Sequence, residues 1–347
     1  MHTDWQTFLE SQGATIGQDG AARFADTPVD ADCASVDLSH LGVIAVSGPD
    51  ATDFLQGQLS NDLRELSETH TQLNSHCSAK GRMLANFRVV QIEGRLLLVL
   101  PRQQLEPLLK RLRMFLLRAN AAVDDISDDL VCIGLVGACV EPSLKHAFGD
   151  LPTDVNAMKR TGDTLLIRCA GSQPRYLLIG PNDSARAGWE AVRAAGAVPA
   201  NLDLWSLHDI RAGIPTVLPE TSDAFVPQMA NMQLIDGVSF HKGCYTGQEV
   251  VARMQYLGKL KRRMYVARVQ LDADSETPAP GTLLSSPGST SEQASGRVVN
   301  AVATAPCEWE MLVVAEISAA EGGELHLGEQ GPMLAISPPP YGFSAPA

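Results

Sequence analysis

Apolar positions along the chain repeat with two different spacings. Leu105, Leu108, Leu109, Leu112, Phe115 and Leu116 recur at the i, i+3, i+4, i+7 spacing of one helical face, with Arg and Lys opposite. This predicts an amphipathic helix with Pro107 in its first turn, where a missing N–H costs little. A shorter helix is predicted after the Gly48-Pro49 turn, capped by Asp50 and burying Phe54, Leu55 and Leu59. WEAVRAAG predicts another. In LDLWSLHDIRAGIP, Asp203 is the candidate N-cap, Leu204, Leu207 and Ile210 share a face, Trp205 and Asp209 stand opposite, and Gly213 with Pro215 forces a stop.

Elsewhere the apolar residues are β-branched or aliphatic and come in short runs. NFRVVQI and RLLLVL flank Glu93-Gly94 and predict a hairpin; TLLIRCA and RYLLIG flank GSQP and predict another, with VCIGLVG as a further strand. Beyond KLKRR at 259–263 the chain changes character. DADSETPAPGTLLSSPGSTSEQAS reads as loops around one short strand, and GRVVNAV, EMLVVAEI, GELHLG and PMLAISP then follow with turn signals between them. Short strands without a helical period predict a small β-barrel or sandwich at the C-terminus. The pattern is that of an α+β protein, without internal repeats.

A length of 347 residues suggests two or three domains, and 45% hydrophobic with 19% charged residues fits a globular chain. The net charge of −13 argues against a protein whose main business is non-specific binding to phosphate backbones, and mildly against direct tRNA contact. Two basic clusters stand out locally: KLKRR, and Lys110, Arg111, Arg113 and Arg118. A run such as KLKRR reads first as a solvated strand edge. Seven cysteines, at 33, 77, 132, 139, 169, 244 and 307, form no CxxC pair and predict no metal site. Cys132 and Cys139, in VCIGLVGACV, read as buried core thiols. The start MHTDWQTFLESQG has no signal-peptide pattern, no apolar run approaches the ~18 residues of a membrane span, and a reducing cytoplasm is expected. There is no Ser-His-Asp spacing, phosphate-binding glycine loop or HExxH, so kinase, metalloprotease and dinucleotide readings have no support.

The chemistry concentrates in HKGCYTGQEVVARM, residues 241–254. Gly243 and Gly247 permit a tight turn around Cys244, and Lys242 supplies positive potential that favours a thiolate. Gln248 and Glu249 open a helix that runs on to Arg253. The competing reading is a plain loop with Cys244 as filler. A second cysteine, Cys77, precedes a turn at Ser78–Gly81 and a strand carrying Asn86; a polar β-turn and a redox partner for Cys244 are both open to it. Residues 222–240 hold the neutral amides Gln228, Asn231 and Gln233, suited to hydrogen-bonding a heterocycle and equally suited to satisfying loop backbone.

KGCYTGQEVVAR resembles the signature of the YgfZ family, folate-binding relatives of the glycine-cleavage aminomethyltransferase. FLQGQLSND, HCSAKGRMLANFRV, RAGIP and FVPQMANMQLIDGVSFHKGCYTGQE resemble further blocks in the family's order, covering roughly residues 40 to 260. The resemblance implies an aminomethyltransferase-like fold of two α+β lobes and a C-terminal β-barrel in a three-part ring. The lobes would be 1–48 with 140–260, and 49–139; the barrel would be 261–347. It implies a monomeric tetrahydrofolate-binding protein acting in assembly or repair of iron–sulfur enzymes, and through client enzymes such as tRNA methylthiotransferases in tRNA modification. Such a protein is an accessory factor rather than a turnover enzyme. Aminomethyl transfer and a non-catalytic folate adaptor are the alternatives.

Carried over, Cys244 is the functional thiol with Lys242 beside it, and Gly243, Tyr245, Thr246, Gly247, Gln248, Glu249 and Arg253 form the motif loop. The folate contacts implied are Trp205, Asn86, Gln228, Asn231, Glu249 and Asp209. Three departures from the relatives stand out, the first of them at two adjacent positions. Ala85 and Asn86 replace the acids of the aminomethyltransferases, Arg211 stands where relatives carry an acid before AGIP, and Leu41 stands where some carry a tryptophan.

Overall fold

The computed structural model describes residues 2–343 apart from 19, 26, 273, 274, 288 and 290–293. Seven of those exceptions belong to the Pro/Ser/Gly-rich stretch after KLKRR, so part of that predicted loop region lies outside the described residues; its short strand is Leu283–Ser285. Contacts divide the chain into two units. One comprises Met1–Phe54, Arg64–Gln72 and Arg88–Trp205; the other comprises Leu55–Leu63, Leu73–Phe87 and Ser206–Ala347.

The first unit explains the continuous apolar runs. Its six-stranded sheet has the order Met158–Thr161, Thr164–Cys169, Arg175–Gly180, Val131–Val136, Ala34–Asp37, Val198–Ala200, antiparallel except for the last pair. The strand Val131–Val136 is buried on both faces. Cys132 and Val136 enter one apolar cluster with Leu177, Ile179, Leu165 and Ile167, while Val131, Ile133 and Leu135 enter a second with Trp5, Leu144 and Trp189. A strand covered on both sides has no need of polar alternation, so VCIGLVG reads as a continuous run. Burial of the second face comes from the helices Thr3–Ser11, Glu141–Phe148 and Asn182–Ala194.

The predicted hairpin is present, with Arg88–Val99 to Ile92–Arg95 in register and both turn residues, Glu93 and Gly94, at positive φ (48° and 73°). The amphipathic helix is also present, burying Leu105, Leu108, Leu109 and Leu112, but it runs Arg102–Phe115. Pro107 therefore sits inside the helix rather than in its first turn, where it removes one i→i−4 bond; the strong Leu face and tertiary burial outweigh that loss. Asp50 does not act as the expected cap: its carboxylate accepts from Asn120 N at 2.7 Å.

Trp205 ends the first unit. The helix Leu202–Ala212 buries Leu204, Leu207 and Ile210 as expected, but Asp203 lies within its first turn instead of capping it. Trp205 is not on a solvent-facing side. It is 7% exposed and belongs to the first apolar cluster. Its indole lies where a Cβ on Gly134 would have to go, 2.4 Å from the ring, and the Arg175 guanidinium stacks over it at 4.1 Å. Cys33 and Cys139 are joined as a disulfide with Cα atoms 6.0 Å apart, so Cys139 is not the core thiol expected, whereas Cys132 is. The spacing of 106 residues in sequence gave no local sign of the pair.

The second unit contains a six-stranded antiparallel sheet ordered His326–Leu327, Leu283–Ser285, Gly296–Ala305, Glu308–Glu316, Arg262–Gln270, Ala335–Ser337. It curls around Tyr265, Val298, Met311, Val313, Leu325 and Leu334. The expected C-terminal barrel is thus a half-barrel. Arg211, the residue that departs from the relatives, is tied to this sheet through two bonds to the Glu310 carboxylate, at 2.7 and 3.1 Å. Among the described residues, no helix is long and apolar enough to cross a membrane.

Burial raises the Glu310 pKa, but the bonds and charge of Arg211, with Arg268 at 3.5 Å, outweigh it and hold the carboxyl below its ordinary value. A depressed folded pKa gives stability that is present above the unfolded glutamate pKa and lost as pH falls through the folded one. Glu310→Gln is expected to cost about 1–2 kcal/mol at pH 7, a figure reduced for the solvent-exposed Arg211. The difference should shrink toward zero below about pH 4, as urea midpoints of both proteins at the two pH values will show.

Candidate functional site

Three motifs that are distant in sequence converge within the second unit. The segment from Leu55 to Asn61 ends a short helix and turns its carbonyls inward, and the Lys242 side chain enters that turn. The ammonium donates to Gln56 O at 2.8 Å, Leu59 O at 2.6 Å and Asn61 O at 2.8 Å. An ammonium has three donors, so this set uses all of them, and charge-assisted bonds are the strong kind. Lys242 is 6% exposed. Its charge is spent on the carbonyl of the helix's last residue, the end that favours a cation, and on two carbonyls in the turn beyond it.

The surrounding bonds fix the same turn. Asn61 Nδ2 donates to Leu73 O and Asp236 O, Ser60 Oγ donates to Gly237 O, and Ser239 N donates to Ser60 O. The segment just before the cysteine motif is therefore tied to FLQGQLSND. A short run of 3₁₀ turns at Pro227–Ala230 and Met232–Leu234 carries it there, with Asn231 between them at φ 57°.

The second contact is between glycines. Ser78–Gly81 forms the predicted turn, closed by Gly81 N to Ser78 O at 2.9 Å. Gly247, at φ 84°, lies so close to it that a Cβ would stand 2.4 Å from Ser78 O and 2.9 Å from the Gly81 Cα. A Cβ on Gly81 would in turn meet Val250 at 2.8 Å. Both glycines are required by close approach and by their left-handed conformations, φ 68° at Gly81 and 84° at Gly247. Gly243 meets nothing within 4 Å, so its role is not one of space.

Between these two anchors the loop carries Cys244 into solvent. Cys244 is a free, exposed thiol, whereas Cys77, Cys132 and Cys169 are buried. Burial, reinforced by Asp223, pushes the Cys77 thiol up to about 12, which makes it a poor partner for a redox couple. Tyr245, next to Cys244, turns inward: its ring lies 5.1 Å from the Lys242 ammonium, and burial, then the proximity of Cys77, raises its pKa. The helix Gln248–Tyr256 begins right after Gly247, as expected, with Glu249 paired to Arg253 at 2.7 Å on its exposed side. Thr246 joins the loop to the first anchor through its N–H to Gly57 O.

The neutral amides divide. Asn86 is taken up by backbone: Nδ2 donates to Pro215 O and Oδ1 accepts from Val217 N, both at 2.7 Å. Asn231 donates to Met264 O at 2.9 Å and to Tyr341 Oη at 3.2 Å. Gln228 donates to Val251 O, but its Oε1 is buried without a donor, as is Oε1 of Gln233. Asp209 is half-buried on the Leu202–Ala212 helix, and Trp205 lies in the core of the first unit. The sequence missed the carbonyl turn at Gln56, Leu59 and Asn61; no side-chain pattern marks it, because its chemistry is all main chain.

Residues 26–164 match the family described as the GCVT N-terminal domain. The chain is 36% identical over 238 residues to the "tRNA-modifying protein YgfZ" of Colwellia psychrerythraea, covering 68% of this chain and 72% of that protein. It is 35% identical to the protein of the same name in Edwardsiella ictaluri, covering 65% and 68% respectively. In fold it is similar to the glycine cleavage system aminomethyltransferase T of Bartonella henselae, with a TM-score of 0.72 over 98% of both chains at 16% identity.

Lys242→Met is expected to leave three carbonyls without their donor and to cost about 2–4 kcal/mol. Hydrogen exchange should locate the loss at residues 56–61 and 239–247, while the half-barrel strands keep their protection.

Proposed function

Because the chain belongs to the YgfZ family, we propose that it is a tetrahydrofolate-binding factor that maintains iron–sulfur enzymes, and through them supports tRNA modification, with Cys244 as its working thiol. The supporting observation is the loop: an exposed thiol held between the Lys242 clamp and the Gly247–Gly81 contact. A side chain with such anchors on both sides is held in place before a partner arrives, which lowers the entropy lost on engagement. This reading requires Cys244 to stay a thiol, whereas the Cys33–Cys139 disulfide runs against the reducing cytoplasm expected from the sequence.

The buried Oε1 atoms of Gln228 and Gln233 lack donors, and a pterin's N–H edge supplies donors. On that ground the amides of residues 228–233 fit the ring system, while Asn86 and Asn231 act by holding backbone. A bound folate supplies a redox-active or one-carbon-bearing pterin; the chain's own share is to hold the ring and present the thiol. Trp205 has Arg175 stacked over it, so ring stacking by a pterin requires that guanidinium to move aside. Aminomethyl transfer finds no support at Ala85 and Asn86. Neither is a carboxylate able to take the amine proton, and the Asn86 amide is already committed to the main chain.

Cys244→Ala should abolish rescue of a deletion strain while leaving the melting temperature within a few degrees of wild type; undiminished rescue removes the thiol from the function. In fluorescence titrations with tetrahydrofolate, wild type should quench, and Trp205→Phe should lose most of that quenching if the pterin reaches the indole. Quenching retained in the variant would move the site away from Trp205, and none in either would remove folate.

A further inference from the structure

The KLKRR run does not lie along a plain strand edge. Lys259, Lys261 and Arg262, with Arg82 and Arg297, line a groove of about 1190 Å³ within the second unit. Three carboxylates, Asp223, Glu316 and Glu321, share the lining with these five cations. Glu316 takes the Arg262 guanidinium at 3.0 Å and Ser289 Oγ at 2.9 Å, and Asp223 takes Ser78 Oγ at 2.7 Å. Arg82 donates to main-chain carbonyls, Ala224 O at 2.6 Å among them. Lys259, Lys261 and Arg297 have no carboxylate within ion-pair distance among the described residues, and both lysines are exposed. With five cations against three carboxylates in its lining, the groove is locally cationic on a chain of net charge −13.

That contrast decides how the global charge should be weighed. Screening confines charge to a Debye length of about 8 Å at physiological salt, so a polyanion lying in the groove meets the nearby cations more strongly than the distant acids. The groove is not purely ionic either. Phe225, Met229 and Leu260 contribute apolar surface to it. At the end of the Gln248–Tyr256 helix, three residues before Lys259, Tyr256 is 63% exposed and Leu257 85% exposed. Tyr256, which stands beside rather than within the lining, packs against Phe240 in a T-shaped pair with 6.2 Å between centroids.

Cations spaced along a groove, with apolar surface and an exposed aromatic beside them, form the combination that takes phosphates on one side and unstacked bases on the other. An acidic protein surface would satisfy the lysines but gives the aromatic no flat partner. We infer that this groove binds single-stranded or looped RNA directly, with phosphates on Lys259, Lys261 and Arg297 and a base against Tyr256. The inference deepens the tRNA-linked part of the proposed function and is independent of the thiol. It runs against the mild argument from net charge that direct tRNA contact is doubtful.

The test is fluorescence anisotropy with a labelled tRNA and a short unstructured RNA, titrated with full-length protein at several salt concentrations. Wild type should bind in the micromolar range or tighter near 50 mM salt, with log affinity falling linearly in log salt. Lys259→Glu/Lys261→Glu changes exposed side chains and should weaken binding roughly tenfold or more and flatten the salt slope by about one to two. Tyr256→Ala should weaken it about tenfold with the slope unchanged. Cys244→Ala should bind as wild type does, so loss of rescue in that variant would bear on the thiol alone. Equal binding by the charge-reversed variant, absence of binding by wild type, or stronger competition by poly-glutamate than by RNA would each overturn the inference.

Discussion

One ammonium among three carbonyls organises the second unit. The backbone at Gln56, where a helix ends, and at Leu59 and Asn61 just beyond it has turned its acceptors inward, and among the described residues no main-chain donor meets them. A side chain 186 residues beyond Gln56 in sequence supplies the missing donors. Burying a lone charge would be costly, and burying three carbonyls without donors would be costly too; together each removes the other's penalty. This mutual need fixes where residue 242 must be, and with it the direction in which the chain leaves toward Cys244. The charge expected to tune the thiol instead holds the loop that presents it.

The glycine contact supplies the other fixed point. Gly81 and Gly247 approach at a distance no side chain permits, so two loops that sequence alone would treat as separate punctuation form one joint. Held on both sides, a thiol can be exposed without being mobile. That separation of presentation from anchoring also explains why Tyr245 faces inward while its neighbour Cys244 faces out.

Much of this was legible in the residues and some was not. The hairpin at Glu93-Gly94, the Leu-rich helix and the helix start at Gln248 follow from local pattern, and the structure has them. Pro107 misled because a local rule about first turns was overridden by the packing of an apolar face that begins earlier. Asp203 and Asp50 misled because an acidic residue near a helix start need not be the cap. Asn86 and Asn231 carry the right functional groups for a ligand but spend them on main chain, which only three-dimensional neighbours reveal. Arg211 looked like a defect beside the relatives until its partner Glu310, ninety-nine residues away, came into view. The Cys33–Cys139 pair was hidden for the same reason, since proximity across long sequence intervals leaves no spacing to read.

Gly134 sits mid-strand, where a glycine weakens the sheet, yet the missing methyl is what lets the Trp205 indole lie flat on the backbone. In a strand that is apolar on both sides, nothing in its hydrophobic pattern distinguishes one alignment from the next, and slippage would go unpunished by burial alone. The notch removes that degeneracy: shifted by a single position, the strand would offer the indole Ile133 or Leu135 instead of open backbone. A sheet built from nearly interchangeable aliphatic residues thereby acquires an index mark, and its alignment is set by one ring meeting the gap that admits it.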